Sequence, residues 1–287
     1  MKNLYLCTMT HEELRERYNP DGSLLRRQQM RMLEILLEVD RICKQHHIPY
    51  WLSSGTLIGA LRHNGFIPWD DDLDIEMLRS DYLRLMQVLP EELPEWLVLQ
   101  NDETDPNYFY FYAKVRDRRS RMLEQNGYDR LWKEQGIYID IFPMEQHPIW
   151  LHKLTEKTVG HMYKVWRTSK DDDKAIKRVR RIFNINNRYL FPCLRSLLLP
   201  LTFGSKIITS GMGIPFHNPR YTEEIFPLTT HEFEGHQLPV PKDADAHLRH
   251  IFGDYMQLPD LEKLAPHVGA LEFFEEGETL LQDDSAC

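Results

Sequence analysis

The sequence predicts an α+β fold: a mixed β-sheet core flanked by helices, followed by a mainly helical C-terminal elaboration. Three observations carry this. Strand-like apolar alternation interleaves with amphipathic helical stretches as far as Pro143. The periodicity from Pro148 to about Lys206 is mainly helical. The remainder is broken into short elements by Pro, His and Gly. No internal repeat and no Gly/Ser linker divides the chain. The organisation expected is an N-terminal helical segment over 1–45, a compact core over 46–147, and a helical, loop-rich region over 148–287 that completes the substrate site.

The first long helix follows the turn Asn19-Pro20-Asp21-Gly22. Apolar residues at Leu25, Met32, Leu33, Leu36, Leu37, Val39 and Cys43 share one face, Asp21 or Ser23 supplies the cap, and Pro49 lies beyond the end. A short strand Tyr50 to Ser53 comes next, then a helix from about Thr56 to His63. A loop containing Gly65 and Pro68 leads to a strand over Asp72 to Met77, and Ser80 starts another helix. Strands are expected near Trp96 to Gln100, over the aromatic run Tyr108 to Val115, and over Ile137 to Phe142, closed by Pro143.

Composition bounds the function. With 287 residues, 42% hydrophobic and 28% charged, the chain has the makeup of a folded soluble protein. A net charge of −9 argues against a general nucleic-acid binder, so nucleic acid is not an expected partner. The charge is uneven: Lys174, Lys177, Arg178, Arg180, Arg181, Arg188, Arg195 and Lys206 fall in one segment without an acid. That segment, 174–206, contains the apolar run from Tyr189 to Phe203. It is too short and too interrupted by Arg195 and two prolines to span a bilayer, but it suits peripheral contact with anionic lipid or a core helix with a solvated basic face. Cys7, Cys43, Cys193 and Cys287 have no ligand or framework spacing, and the N-terminus lacks a long apolar stretch. A cytoplasmic protein, peripheral at the inner face of the membrane, is the expectation.

The densest chemistry lies between Ser53 and Met77. Strand alternation puts Leu73, Ile75 and Met77 on one face and Asp72, Asp74 and Glu76 on the other, expected to be open. Carboxylates whose tips converge repel by a few kcal/mol at an effective dielectric of about 20, and a divalent cation neutralises them. Hard oxygen ligands favour Mg²⁺, or Mn²⁺, over zinc. Asp70 and Asp71 rank lower, at the strand entrance and on the apolar parity. The run Gly136 to Phe142 repeats the pattern, with Asp140 opposite Ile137, Ile139 and Ile141. Upstream, Ser54-Gly55-Thr56 leads from strand into helix and offers amides and hydroxyls to a phosphate. Arg62, Lys114 and Arg116 stand where each can reach a phosphate or serve a surface ion pair. His231 and His236 are five apart, so they do not share a helix face as a zinc protease pair does.

These residues resemble a known family. SGTLIGALRHNGFIPWDDDLDIEM, KVRD, GIYIDIFP and the late FEGHQLPVPKDADAHLRHIFGDYMQLP are similar to the LicD family of phosphocholine and related phosphotransferases, itself similar to fukutin-related ribitol-phosphate transferases. The resemblance covers about residues 46 to 267. It implies a nucleotidyltransferase-like core in which Ser54, Gly55 and Thr56 hold phosphates, Asp72, Asp74 and Asp140 hold Mg²⁺, and Arg62, Lys114 and Arg116 are basic site positions. The sequence departs from the family pattern at Phe142-Pro143-Met144-Glu145, where another acid is common two places after Pro and Glu145 is the substitute.

The implied reaction moves phosphocholine, or a related alcohol or polyol phosphate, from a CDP-linked donor to a hydroxyl of a cell-surface glycan such as lipopolysaccharide or teichoic acid, or of its lipid-linked precursor. Asp140 is expected to orient or deprotonate that hydroxyl, while Arg62 and Lys114 stabilise phosphate oxygens. Trp69, Tyr108, Tyr110, Tyr112 and Trp132 are candidates for a choline cage. Two rival readings are a DxD-type glycosyltransferase using Asp72-Leu73-Asp74 with a nucleotide sugar, and a non-catalytic nucleotide-binding module.

Overall fold

The computed structural model describes residues 10–260 and 268–274, apart from Phe203 and His217. Cys7 and Cys287 lie outside the described residues. Two helices open the chain, α1 (His11–Tyr18) and α2 (Leu24–Gln45). Ser23 caps α2, its hydroxyl accepting the Arg26 N–H at 3.1 Å. The apolar face of α2 buries Met32, Leu36 and Val39 completely.

The core then runs β1 (Trp51–Leu52), α3 (Ser54–His63), β2 (Asp74–Leu78), α4 (Arg79–Glu92), β3 (Leu97–Gln100), β4 (Ala113–Asp117), β5 (Ser120–Glu124) and β6 (Tyr138–Glu145). The helical region follows as α5 (Ile149–Thr168), α6 (Asp172–Ile185), a π-helical turn (Asn186–Leu190) and α7 (Phe191–Thr202). Short elements complete it: β7 (Ile207–Ser210), β8 (Arg220–Tyr221), α8 (Thr222–Ile225), β9 (Thr229–Phe233), β10 (His236–Val240), α9 (Ala244–Phe252) and β11 (Val268–Phe273).

The central sheet has the order β1-β2-β6-β4-β3, with β7 added to β6 and β8 to β7. Among the described strands only β2 and β6 run parallel, in the register Asp74↔Asp140 and Ile75↔Ile141; β4 is antiparallel to β6 with Lys114↔Asp140. Ile75, Ile139, Ile141 and Val115 belong to the main core with α2, each fully buried and each contributing about 1.5–3 kcal/mol. Residues of the opposite parity, Asp74, Asp140, Lys114 and Phe142, therefore share the other face.

Four expectations change. The aromatic run is not a strand throughout: Tyr108, Phe109 and Tyr110 are all buried in succession, and the strand begins only at Ala113. Three consecutive inward rings cannot be served by a two-residue alternation, so the backbone there is irregular and fills a second core against Trp166 of α5, Val179 and Phe183 of α6 and Phe191 of α7. Strand β6 is not closed by Pro143 but passes through it to Glu145. On one side of β6 Pro143 falls between the β4 pairing, which reaches Ile141, and the β7 pairing, which begins at Met144, so its missing N–H interrupts neither of those ladders, while on the other side it stands opposite Met77 of β2. Strand β5 was not foreseen; it pairs with β11 in a separate ladder. The acid face is not open along its length either. Glu76 is buried, taking Arg220 Nη2 at 3.0 Å and the Trp51 indole N–H at 3.1 Å, because β8 folds back over that end of the sheet.

Candidate active site

The strand-to-helix turn and the acid strand are tied together through backbone groups. The Asp74 N–H donates to Thr56 Oγ1 at 2.9 Å, and the Ser53 N–H donates to the Asp74 carbonyl at 3.1 Å. Ser54, the first residue of α3, has φ = 50°, a left-handed conformation that a non-glycine residue adopts at a cost of about 1–3 kcal/mol. At Gly55 a Cβ would stand 2.5 Å from Asp70 Oδ2, so the Asp70 carboxylate lies directly against the first turn of α3. Thus Ser54, Gly55, Thr56, Asp70 and Asp74 are gathered in one place.

The acid loop is clamped from behind by α2. Gln28 Nε2 donates to the Asp71 carbonyl at 2.6 Å, and Gln29 Nε2 donates to the carbonyls of Ile67 (3.2 Å) and Asp70 (2.9 Å). Both glutamines are buried on the apolar face of α2, which is the sequence signal that marks them as positioning residues.

Asp140 lies beside Asp74 across the parallel pair, and Lys114 Nζ donates to Asp140 Oδ1 at 2.7 Å. The ammonium is 1% exposed, 3.3 Å from the Tyr138 ring centroid and 5.6 Å from those of Tyr110 and Tyr112. The tyrosines surround this protein's own lysine. Trp69 instead packs on Tyr18 and His63, and Trp132 on Tyr108, Phe109 and Tyr110, so the five expected cage aromatics do not form one cage.

Arg116 is fully buried, its Nε on Gln100 Oε1 (2.5 Å) and its Nη1 on the Gly136 carbonyl (2.7 Å). Glu124, not singled out in the sequence, balances both cations, 3.6 Å from Lys114 and 3.7 Å from Arg116. No sequence signal marked it, because β5 carries no apolar alternation of the usual kind. Arg62 lies at the near edge, donating to the Tyr255 carbonyl at 2.9 Å within the late Gly253-Asp254-Tyr255-Met256 block. Glu145, the expected substitute acid, is held by Arg195 at 2.6 and 3.0 Å. Glu234, between His231 and His236, sits in the β9–β10 turn and is bound by Arg26 at 2.9 and 2.6 Å, a structural role.

The electrostatics favour a cation. Burial, followed by the charges of Asp72, Asp140 and Asp70, pushes the Asp74 carboxyl well above the ordinary range. Burial also raises Asp140, to about 6, against the pull of Lys114. Asp70, Asp72 and Asp140 all act on Asp74, with Lys114 opposing, and carboxylate oxygens suit a hard divalent ion in kind. Among the described residues no group of three or more His, Cys, Asp or Glu side chains is placed to hold a metal ion.

The sequence pattern described as LicD/FKTN/FKRP, nucleotidyltransferase domain, matches residues 47–202. The chain belongs to this family. It is 30% identical over 262 residues to the lipopolysaccharide cholinephosphotransferase LicD of Haemophilus influenzae, covering 85% of this chain and 95% of that protein. An uncharacterized protein of Rickettsia prowazekii shares 42% identity over 60 residues, 21% of this chain and 23% of its own length. Mannosyltransferase regulator 4 of Saccharomyces cerevisiae shares 30% over 118 residues, 39% of this chain and 10% of its own length. The mixed sheet with Asp74 and Asp140 in register is accordingly the nucleotidyltransferase core of a LicD-family protein. The family match continues through α5, α6 and the whole of α7, so the helical elaboration over the aromatic segment is part of it.

The contact between Asp70 and Gly55 gives a local test of the LicD-family turn. Gly55→Ala places a methyl where the flexible Asp70 carboxylate now lies, which shifts that carboxylate without touching the core. The expected outcome is a melting temperature within a few degrees of the parent and a substrate KM raised about tenfold, or ~1.4 kcal/mol of lost binding. Steady-state kinetics and a melting curve on one preparation check it.

Proposed function

We propose that this LicD-family chain is a CDP-alcohol phosphotransferase. It moves phosphocholine, or a related alcohol or polyol phosphate, from a CDP-linked donor to a hydroxyl of a cell-surface glycan or its lipid-linked precursor, working at the cytoplasmic side of the membrane. The observation that carries the reading is the juxtaposition of Asp74 and Asp140 on parallel neighbouring strands, tied through Thr56 to the Ser54–Thr56 turn. Its support from relatives is a cholinephosphotransferase matched over nearly its whole length.

Each residue has a task. The N-terminal amides of α3 and the hydroxyl of Ser54 take donor phosphate oxygens. Thr56 fixes the start of β2, and Gln28 and Gln29 fix the loop that delivers Asp70 and Asp72. Arg62, at the rim, pairs with a donor oxygen. Lys114 keeps Asp140 oriented, and Arg116 with Glu124 keeps Lys114 in place. The acceptor oxygen forms a bond to the distal phosphorus, the bridging P–O bond breaks, CMP leaves, and the hydroxyl proton passes to Asp140. Asp72, Asp74 and Asp140 would hold Mg²⁺, with Mn²⁺ as the substitute, which neutralises phosphate charge when bound.

The test is a donor panel of CDP-choline, CDP-ribitol, UDP-sugars and GDP-sugars, scored by nucleotide release and by the mass of the glycan product. CMP release with a mass gain equal to the alcohol phosphate is expected. Transfer from a UDP- or GDP-sugar would replace this reading with the glycosyltransferase one, and release of no nucleotide from any donor would replace it with a binding module.

A further inference from the structure

A cavity of about 570 Å³ lies at the far end of β2 and β6 from the carboxylates, within the roughly 300–1,000 Å³ typical of small-molecule sites. Glu145, on its wall, is five residues beyond Asp140 on β6, about 17 Å along a strand at ~3.3 Å per residue. The walls are largely apolar, formed by Met144, Leu198, Ile208, Met212 and Phe226. Two guanidiniums stand among them and share one carboxylate: Arg195 grips Glu145, while Arg79 is 3.5 Å from it. Glu145 also accepts the Met212 N–H at 2.8 Å, so its charge is fully engaged and the pair leaves one positive charge in excess. An apolar cavity with a net cation selects an anionic amphiphile.

Two neighbouring features narrow its identity. A second cavity, about 270 Å³, shares Arg79, Arg195 and Met212 with the first. It extends past Asn101, Asn187 and the acids Asp102 and Glu103 to Tyr110 and Tyr112, whose ring centroids are 5.6 Å from Lys114 Nζ, so the excess positive charge belongs to the apolar chamber and not to the cleft. An apolar chamber and a polar, aromatic cleft thus share a wall at Arg79, Arg195 and Met212, and the cleft is also lined by Tyr110 and Tyr112, the rings that face Lys114. On the outside, next to Leu198, α7 exposes Leu197 (68%) and Leu201 (75%), and Arg188, on the π-helical turn before α7, is exposed as well. Exposed leucines on a helix that follows a basic stretch suit an anionic lipid surface.

The geometry points to a binding site for the alkyl phosphate anchor of a membrane-borne glycan acceptor. The alkyl chain occupies the cavity between Ile208, Met212 and Phe226, the phosphate pairs with Arg79, and the glycan runs along the second cleft toward Asp140. This rests on the phosphotransferase reading for the acceptor's identity, but the site itself is tested without any transfer.

The experiment uses the full chain and three probes in calorimetric titrations: dodecyl phosphate below its micelle threshold, dodecyl maltoside and inorganic phosphate. Dodecyl phosphate is expected to bind at least tenfold more tightly than either of the others. Ile208→Trp and, at the cavity's rim, Leu198→Trp should each weaken it at least tenfold. Arg79→Gln should remove the preference over dodecyl maltoside, and Leu197→Ser should change nothing. Equal affinity for phosphate and maltoside heads would overturn the site. So would weakening by Leu197→Ser with none by Leu198→Trp, which means adsorption on the surface. Displacement of dodecyl phosphate by phosphatidylglycerol vesicles, with transfer to a lipid-linked acceptor unaffected by Leu198→Trp, would assign the cavity to bulk lipid and overturn the acceptor anchor. Absence of CMP release would defeat the phosphotransferase reading while leaving the titration result intact.

Discussion

Asp74→Asn should lower CMP release from a CDP-linked donor about 10³-fold, the loss typical when an electrostatic element of a transition state is removed, and should raise the melting temperature in EDTA. The two effects have one cause. Burial and the charges of Asp72, Asp140 and Asp70 raise the Asp74 carboxyl well above its value in an unfolded chain. Between those two values the folded state binds more protons than the unfolded state. Stability therefore falls as pH rises through that window, because ionising the buried carboxyl opposes folding. Asparagine keeps the shape without the charge. Adding Mg²⁺ should then raise the melting temperature of the parent by mass action and move that of Asp74→Asn much less. Full CMP release in the variant, or an equal Mg²⁺ shift in both proteins, would remove Asp74 from the proposed metal set.

Much of this arrangement is written in strand alternation. Asp74 between Leu73 and Ile75, and Asp140 between Ile139 and Ile141, announce two strands with one apolar and one acidic face, and they are neighbours in register. Alternation assigns a face but not a depth. It put Lys114 and Arg116 on one face of their strand, yet both lie beneath the surface because the aromatic segment and α5 to α7 are laid over them. Depth depends on contacts from sequence-distant elements, and the same is true of Glu76, which meets Arg220 across 144 positions. Gln28 and Gln29 were legible only as oddities, polar residues on an apolar helix face. Glu124 was not legible at all: Ser120-Arg121-Met122-Leu123-Glu124 forms a strand by pairing with β11, not by its own pattern. The aromatic run shows the opposite failure, strong β-formers in a segment where the three successive rings Tyr108, Phe109 and Tyr110 all turn inward.

Lys114→Met should cost about 3–5 kcal/mol of stability, the penalty for leaving buried charges without their partner. Lys114 is nearly inaccessible and faces Asp140 at 2.7 Å and Glu124 at 3.6 Å. Glu124 retains Arg116 at 3.7 Å, so the uncompensated charge after the substitution is mainly that of Asp140. Urea unfolding checks the size of the loss through a lower midpoint at unchanged slope. Asp140→Asn in the same chain should restore much of it, because the amide no longer carries the stranded charge, whereas Glu124→Gln should restore less. The two double variants thus separate the pairs, and a coupling energy to Asp140 below about 0.5 kcal/mol would show that Lys114 is held by Glu124 and the tyrosines and not by Asp140. Restored stability should not bring activity back. The Lys114→Met, Asp140→Asn chain folds but lacks both the acid and its orienting cation, so a stable protein that releases no CMP is the result expected if the pair serves the reaction and not merely the sheet.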